Sequence, residues 1–277
     1  MIATKSIVIV AAMKTKFLYL VASLLFALPA AAASSDWTST PGGKVRVIVD
    51  NPAVGTPEVR GAIQINLDPG WKTYWKEPGD AGVPPELDLT ASSNIKAYAL
   101  AFPTPHRFAD GGTQWAGYKK PVSLPFTLTL EDPAKPAHLK GHAFLGICET
   151  ICIPVTAEFD IAIDGTPSDP LTKAQISTAF DQLPAPASAE FGVRAVTRDN
   201  DHLDFTADLA AGSEEIDLFV AAEGGANFGM SKLKSRDDKS AVFAVPLVSG
   251  AQAKPGLLYY TLVQGDKSVS GKIPFKE

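Results

Sequence analysis

The chain has 277 residues, a formal net charge of −5 and two cysteines. Its lysines and arginines are scattered and form no basic stripe, which argues against nucleic acid as a partner. The four histidines are dispersed, and the sequence contains no H-E-x-x-H, G-x-S-x-G or glycine-rich phosphate loop. Hydrolase and nucleotide-binding functions therefore have little support.

Residues 1–33 have the features of a secretory signal peptide. A basic n-region precedes an apolar run over 17–28, which is shorter than the ~20 residues that a membrane span needs. Small residues follow, and an A-x-A cleavage site ends at Ala33. Met13 begins a more typical signal than Met1 does. The mature chain is therefore predicted to be exported, with no membrane span.

Most of the remaining sequence alternates apolar and polar residues with a period of two, which is typical of strands that bury one face. Turn clusters such as Asp68-Pro69-Gly70 separate the alternating segments. Many short strands between turns indicate an antiparallel sandwich or barrel, so the predicted fold class is all-β. The predicted strands are 44–49, 62–67, 96–102, 122–130, 138–148, 153–163, 191–196, 202–209, 216–221, 240–247, 257–263 and 268–275.

One segment breaks the alternation. The apolar residues of 171–183 follow helical spacing, and Thr172 or Ser168 is the predicted cap of this helix. A proline-rich linker follows over 184–190. The chain is therefore predicted to have three parts after the signal peptide: a first β-sandwich over 36–165, a helical connector and linker over 166–186, and a second β-sandwich over 187–277.

The two cysteines lie close together in GICETICIPV, residues 146–155. Along one extended strand Cys148 and Cys152 would be ~13 Å apart, too far for a disulfide, so the chain must reverse between them if they bond. Both flanks are strand-like, which predicts a three-residue hairpin loop over 149–151 with the cysteines directly opposite each other. The alternation of the flanks predicts that both cysteines lie on the polar face, away from the core.

Three interpretations of this pair remain open from the residues alone. It could be a hairpin staple in a secreted domain, although so short a loop gains little entropic stabilisation. It could be a thiol–disulfide exchange couple. It could also be a soft-metal site for Cu(I) or Zn(II), formed by Cys148 and Cys152 with His142 or His106.

Three stretches together carry a family resemblance. GWKTYWKEPGDAGVPPELDL (70–89), FPTPHRFADGGTQWAGYKKPVSLPF (102–126) and CETICIP occur in that order. They resemble the exported N-terminal domain of the DsbD-type thiol:disulfide interchange proteins, and more closely its ScsB-like, suppressor-of-copper-sensitivity branch. The resemblance covers residues 45–163. The ScsB-like arrangement of two successive sandwiches is similar to the predicted second half of the chain.

The resemblance implies immunoglobulin-like sandwiches and a periplasmic protein of a Gram-negative bacterium. It implies that Cys148 and Cys152 take reducing equivalents from a separate membrane donor and pass them to oxidised client proteins. The protein would then be a protein-disulfide reductase with no cofactor except its redox-active disulfide. The alternative is a non-enzymatic periplasmic binding module, with the pair as a Cu(I) ligand in copper tolerance or as a structural staple.

The resemblance also implies a cap over the cysteines. The corresponding segment is 106–112, in which Phe108 would act as the shield and Asp110 as a nearby acid, with His106 as the candidate base. Aromatic residues could form a wall beside the thiols or could simply pack in the core. The aromatic candidates for this wall are Trp71, Tyr74 and Tyr118, and Trp115 has the same ambiguity.

Overall fold

The chain folds almost entirely into antiparallel β-strands. A computed structural model describes residues 34–79, 82–110, 112–222, 228–248 and 256–275, so the predicted signal peptide lies outside the described residues. These residues contain one helix, α1 (Pro170–Asp181). Their strands, in chain order, are β1 (Thr38–Thr40), β2 (Gly43–Val49), β3 (Glu58–Leu67), β4 (Thr73–Gly79), β5 (Glu86–Asp88), β6 (Ile95–Leu100), β7 (His106–Asp110), β8 (Thr113–Tyr118), β9 (Val122–Leu130), β10 (Ala137–Cys148), β11 (Cys152–Ile163), β12 (Ala185–Pro186), β13 (Gly192–Asp199), β14 (His202–Asp208), β15 (Ile216–Ala222), β16 (Lys232–Arg236), β17 (Ser240–Pro246), β18 (Gly256–Gln264) and β19 (Lys267–Phe275).

The first β region, residues 38–163, contains three sheets. A five-stranded sheet has the order β1-β2-β3-β9-β6, and three-stranded sheets have the orders β11-β10-β5 and β4-β8-β7. The inward residues of the first two sheets, among them Val47, Ile63, Leu124, Leu145 and Val155, belong to one buried cluster. Burial of each such side chain contributes about 1.5–3 kcal/mol, so the alternating pattern of the sequence determines which faces meet.

The second β region, residues 185–275, is built from two four-stranded sheets. Their orders are β12-β19-β18-β15 and β13-β14-β17-β16. Leu203 and Phe205 of β14, Phe243 of β17 and Leu258 and Leu262 of β18 form the centre of its core. The prediction of an all-β fold is therefore confirmed, and each alternating segment of the sequence forms a strand whose ends lie within four residues of the predicted ones.

The two β regions share part of one core. Phe219 and Ala221 of β15 are buried in the cluster of the first β region, and the Phe219 ring meets the Trp75 ring edge-on with centroids 5.9 Å apart. Residues Ala33–Glu277 form one compact unit. Because β15 contributes side chains to both cores, the boundaries of the two sandwiches remain a prediction.

The helix is capped by a residue between the two caps predicted from sequence. Asp169 is the N-cap, and its carboxylate accepts hydrogen bonds from the N–H groups of Leu171 and Thr172. The prediction of Thr172 or Ser168 as the cap is wrong, because Ser168 Oγ instead accepts from the N–H of Asn51 at 2.7 Å. The carboxylate also offers two acceptor oxygens to the free N–H groups of the first turn, whereas a hydroxyl offers one.

The proline-rich linker is attached to the second β region. Ala185 and Pro186 form β12, which pairs in parallel with Val269 and Ser270 of β19. Among the described residues, no helix is both long enough and apolar enough to span a membrane.

The segment predicted as the cap is part of a β-hairpin. Residues 106–110 form β7, which pairs with β8 along its whole length. Apolar and polar residues do not alternate clearly along β7, because both of its faces are in contact with other residues: Arg107 binds Asp217 on one face and Phe108 stacks on Trp115 on the other. The cap hairpin, as we call β7 and β8, therefore has a defined register.

Glu77 lies on β4 where the two β regions meet. It lines a small cavity with Phe219, Phe228 and Met230, and burial raises its pKa from 4.5 to about 7. Hydrogen bonds from backbone N–H groups, including that of Phe228, oppose this rise but do not cancel it. In the folded state this carboxyl keeps its proton up to a higher pH than it does in the unfolded chain. The stability of the fold therefore falls as pH rises from 4.5 through about 7.

Glu77→Gln is expected to remove this pH dependence. The variant should show a smaller drop in melting temperature between about pH 5 and about pH 8 than the parent protein, by about 2 °C, in fluorescence-monitored thermal unfolding. Glu158→Gln, at an exposed position on β11, is the matched control. An unchanged drop in the Glu77→Gln protein would mean that Glu77 ionises as freely in the folded state as in the unfolded state.

Candidate functional site

The two cysteines face each other at the tip of the β10–β11 hairpin. Cys148 and Cys152 are paired in the ladder and bonded through their Sγ atoms. The three residues between them form the loop, in which the N–H of Glu149 donates to the carbonyl of Ile151 at 3.2 Å. The predicted hairpin, loop length and cross-strand pairing are all present.

The two sulfurs differ in exposure. Cys152 is exposed, whereas Cys148 is only 1 % exposed. The prediction that both cysteines lie on a wet face is therefore wrong for Cys148. The strand pattern correctly separates it from the sandwich core, but a second sheet, β4-β8-β7, covers that face.

The segment 72–74 brings this second sheet to the cysteines. Lys72 and Cys148 exchange two backbone hydrogen bonds of 2.9 Å, and the Thr73 hydroxyl donates to the carbonyl of Gly146. This pairing places the Tyr74 hydroxyl 3.2 Å from Cys152 Sγ. Because a disulfide sulfur carries no hydrogen, the tyrosine is the donor.

Three aromatic rings cover the buried sulfur. Tyr74, Trp115 and Cys148 form one buried cluster, and Phe108 packs against it. The Phe108 and Trp115 rings are stacked with centroids 4.3 Å apart, and Tyr74 meets Trp115 edge-on at 5.7 Å. Such a cover excludes water and reagents from Cys148 but leaves the Cys152 side of the bond open.

Two cations lie over these rings. Lys72 Nζ is 4.8 Å from the centroid of the Trp115 ring, and Lys119 Nζ is 4.5 Å from that of Phe108. Ammonium groups favour aromatic faces, so both lysines add to the aromatic cover of the disulfide.

The structure brings some of the sequence-predicted residues to the disulfide and not others. Tyr74 and Phe108 lie at the cysteines. Trp71 lies instead against Gly42 and the first core, and Tyr118 is buried in that core with its hydroxyl donating to the carbonyl of Pro103. His106 is exposed, with its ring centroid 6.2 Å from that of Phe108.

Other site residues were not identified from sequence. The sequence did not decide whether Trp115 packs in the core or beside the thiols, and no motif pointed to Lys72 or Lys119. These three residues come together only because β4 pairs with β8. The backbone of Asp110 ends β7 opposite Thr113. Its predicted acidic role stays a prediction.

Residues 45–162 match a family model described as the N-terminal domain of the thiol:disulfide interchange protein DsbD. This region contains the hairpin, both cysteines and the cap hairpin. Residues 45–162 are therefore similar to the N-terminal domain of the DsbD family. The resemblance found in the sequence is thereby confirmed, and the cysteine pair of a thiol:disulfide interchange family is here a formed disulfide.

A solved structure extends this likeness to the second β region. The N-terminal periplasmic domain of ScsB from Proteus mirabilis has 22 % sequence identity and a TM-score of 0.68, covering 89 % of this chain and 99 % of that chain. At this identity the likeness shows a shared fold, in agreement with the immunoglobulin-like class. A comparison with curated protein sequences found no match.

Tyr74→Phe is expected to slow alkylation of the reduced site by iodoacetamide. Removing the hydroxyl takes away a hydrogen bond to the Cys152 thiolate, so the rate at about pH 7 should fall about threefold to tenfold. The rate is read by mass spectrometry. Tyr98→Phe, at a half-exposed position on β6, is the control, and equal rates in both variants would contradict a role for the hydroxyl.

Proposed function

We propose that this protein is a periplasmic thiol–disulfide exchange protein. It would take reducing equivalents from a membrane-bound dithiol donor and pass them to oxidised client proteins through Cys148 and Cys152. The observation that carries the proposal is the asymmetry of the disulfide, in which one sulfur is exposed and the other lies beneath an aromatic cover. The match of residues 45–162 to the DsbD N-terminal family supports it.

The exposed sulfur defines the first step of reduction. A donor thiolate attacks Cys152 Sγ, the Cys148–Cys152 bond breaks, and the electron pair of that bond leaves on Cys148 as a thiolate. A second donor thiolate then attacks the donor's own sulfur and releases Cys152. The donor is left as a disulfide, and its two electrons have reduced Cys148 and Cys152 to thiols.

The same chemistry in reverse reduces a client. Cys152, as the exposed thiolate, attacks a client disulfide and forms a mixed disulfide. Cys148, held opposite in the hairpin, then attacks Cys152 Sγ, re-forms the intramolecular bond and releases the reduced client. The ladder supports this step, because it keeps the second sulfur within reach of the first.

A purely structural disulfide fits these observations less well. A bond that closes a three-residue loop adds entropic stability at the low end of the ~2–4 kcal/mol typical of disulfides. The hairpin already has a continuous ladder from Ala137–Ile163 to the tip. The exposure of Cys152 and the Tyr74 hydroxyl beside it are not needed for a staple.

Cu(I) binding by Cys148 and Cys152 stays a prediction. It requires both sulfurs as thiolates, and in this structure they are bonded to each other. His142 lies six residues before Cys148 on β10, about 20 Å along the strand, and faces Glu158 and Asp88. Titration of the reduced protein with Cu(I) would test this function independently of exchange.

The exchange function predicts that the two single Cys→Ser variants differ in how much mixed disulfide with a client they accumulate. Cys148→Ser leaves the exposed Cys152 without its resolving partner, so a mixed disulfide with an oxidised client should accumulate in periplasmic extract. Cys152→Ser leaves only the buried thiol and should trap at least about tenfold less. Non-reducing electrophoresis and mass spectrometry measure both, with the double variant as the control.

Equal trapping by the two single variants would contradict the assigned order of attack. If neither variant trapped a client, exchange with periplasmic proteins would lose its support.

A second expectation concerns the reduction potential of the pair. Exchange couples have potentials of roughly −270 to −120 mV, whereas structural disulfides of exported proteins lie below about −300 mV. Equilibration with glutathione or dithiothreitol buffers, followed by alkylation and mass spectrometry, gives the value. A potential in the exchange range is expected, and one below about −300 mV would identify a staple.

A further inference from the structure

Strand β7 has different partners on its two faces. Successive side chains of a strand point in opposite directions, so Phe108 and its neighbour Arg107 face opposite sides. Phe108 covers the disulfide cluster. Arg107 reaches in the other direction, to the second β region, where it contacts Asp217 and Ser231. A single short strand therefore connects the aromatic cover to a part of the chain more than one hundred residues away.

The contact of Arg107 is a two-pronged ion pair. Its Nε donates to Asp217 Oδ2 at 2.9 Å, and its Nη2 donates to Asp217 Oδ1 and to Ser231 Oγ. The two charged side chains are about one quarter exposed, at 24 % and 25 %. Fork-shaped arginine–carboxylate pairs are geometrically specific and stronger than single charged hydrogen bonds, so this pair fixes the position of the arginine.

The acceptor side of this pair is held firmly. Asp217 Oδ1 also accepts from the N–H of Leu218, and Ser231 Oγ donates to the carbonyl of Leu218 at 2.6 Å. Two residues further along β15, Phe219 is buried in the first core. Asp217 is therefore a fixed point, whereas β7 is an edge strand that, among the described strands, pairs with β8 alone.

A second tie holds the same part of the cap. The Thr104 and Ser268 hydroxyls are hydrogen-bonded just before β7 begins. The cap hairpin is thus attached to the second β region at its entry and in its first strand.

We propose that Arg107 and Asp217 form a latch through which the second β region holds the cap hairpin closed over the disulfide. Both are positioning residues, because they act on the sulfurs through Phe108. The physiological meaning of the latch rests on the proposed exchange function. Opening the latch exposes Cys148 as a second point of thiol attack beside the open Cys152, so the disulfide is reduced faster and the second β region sets the rate of exchange and not its direction.

The experiment measures how fast dithiothreitol reduces the disulfide of the purified protein. Samples are quenched by alkylation and read by mass spectrometry. Asp217→Asn and Arg107→Gln should each raise the rate about fivefold to tenfold, as expected if the open cap is a minor state populated at about 1–10 %. The double variant should be no faster than either single variant, because both break the same contact.

Three controls separate a latch from general destabilisation. Arg194→Gln breaks another arginine–aspartate pair of the second β region, with Asp208, and should leave the rate unchanged. Phe108→Ala removes the cover itself and sets the upper limit. Arg107→Lys keeps the charge but loses the fork, so its rate should lie between those of the parent and Arg107→Gln.

Ionic strength gives an independent readout. Salt screens a partly exposed ion pair, so raising NaCl from roughly 0.05 to 0.5 M should speed reduction of the parent protein more than that of Asp217→Asn. The reduction potential should be the same in all latch variants, since a cap that only gates access changes forward and reverse rates together.

Two outcomes would overturn the latch. One is an unchanged rate in Asp217→Asn, and the other is an equal increase in Arg194→Gln. The exchange function fails separately, if the potential lies in the range of structural disulfides. Faster reduction in the latch variants combined with such a potential would mean that the latch protects a staple.

Discussion

The register of the β10–β11 hairpin is the constraint on which the site depends. Twelve consecutive pairs, from Ala137 with Ile163 to Cys148 with Cys152, connect the two strands. A slip of one residue would turn the buried Leu145 and Val155 outward, so burial of the core holds the cysteines opposite each other. The disulfide is therefore a consequence of core packing, and its sulfurs remain close when the bond is reduced.

A second sheet gives the two sulfurs different chemical environments. Because Lys72 pairs with Cys148, the chain that follows it carries Tyr74 to the disulfide, and β8 brings Trp115 over it. One sulfur is thereby buried and the other remains accessible. A symmetric, fully exposed pair would offer two equivalent points of attack, whereas this arrangement offers one.

The cap hairpin is held between two surfaces. Phe108 stacks on the rings that cover Cys148, and Arg107 is fixed to Asp217 of β15. Strand β15 itself is anchored by Phe219 in the first core. The second β region is therefore part of the environment of the disulfide, although within its described residues it provides no side chain to the cluster around the sulfurs.

The local periodicity of the sequence was enough to predict most strands, the cysteine hairpin and the helix. Alternation placed most strands within a few residues, and the spacing of Cys148 and Cys152 between two strand-like flanks determined the hairpin and their pairing. The helix was also predicted, although Asp169 and not a hydroxyl residue caps it. An alternation with period two shows which face of its own strand each residue occupies. A hairpin with a three-residue loop depends only on residues close together in the sequence, so the local pattern was enough to predict it.

Only the tertiary structure decided what covers each face. Cys148 has the pattern of an outward residue and is nevertheless buried, because strands 30 to 75 residues earlier in the chain fold over it. Trp71 and Tyr74 look alike in sequence, yet one packs against Gly42 and the other contacts Cys152. Arg107 and Asp217 are separated by 110 residues. Such contacts arise from the packing of one sheet on another, and no local pattern in the sequence encodes which sheet that will be.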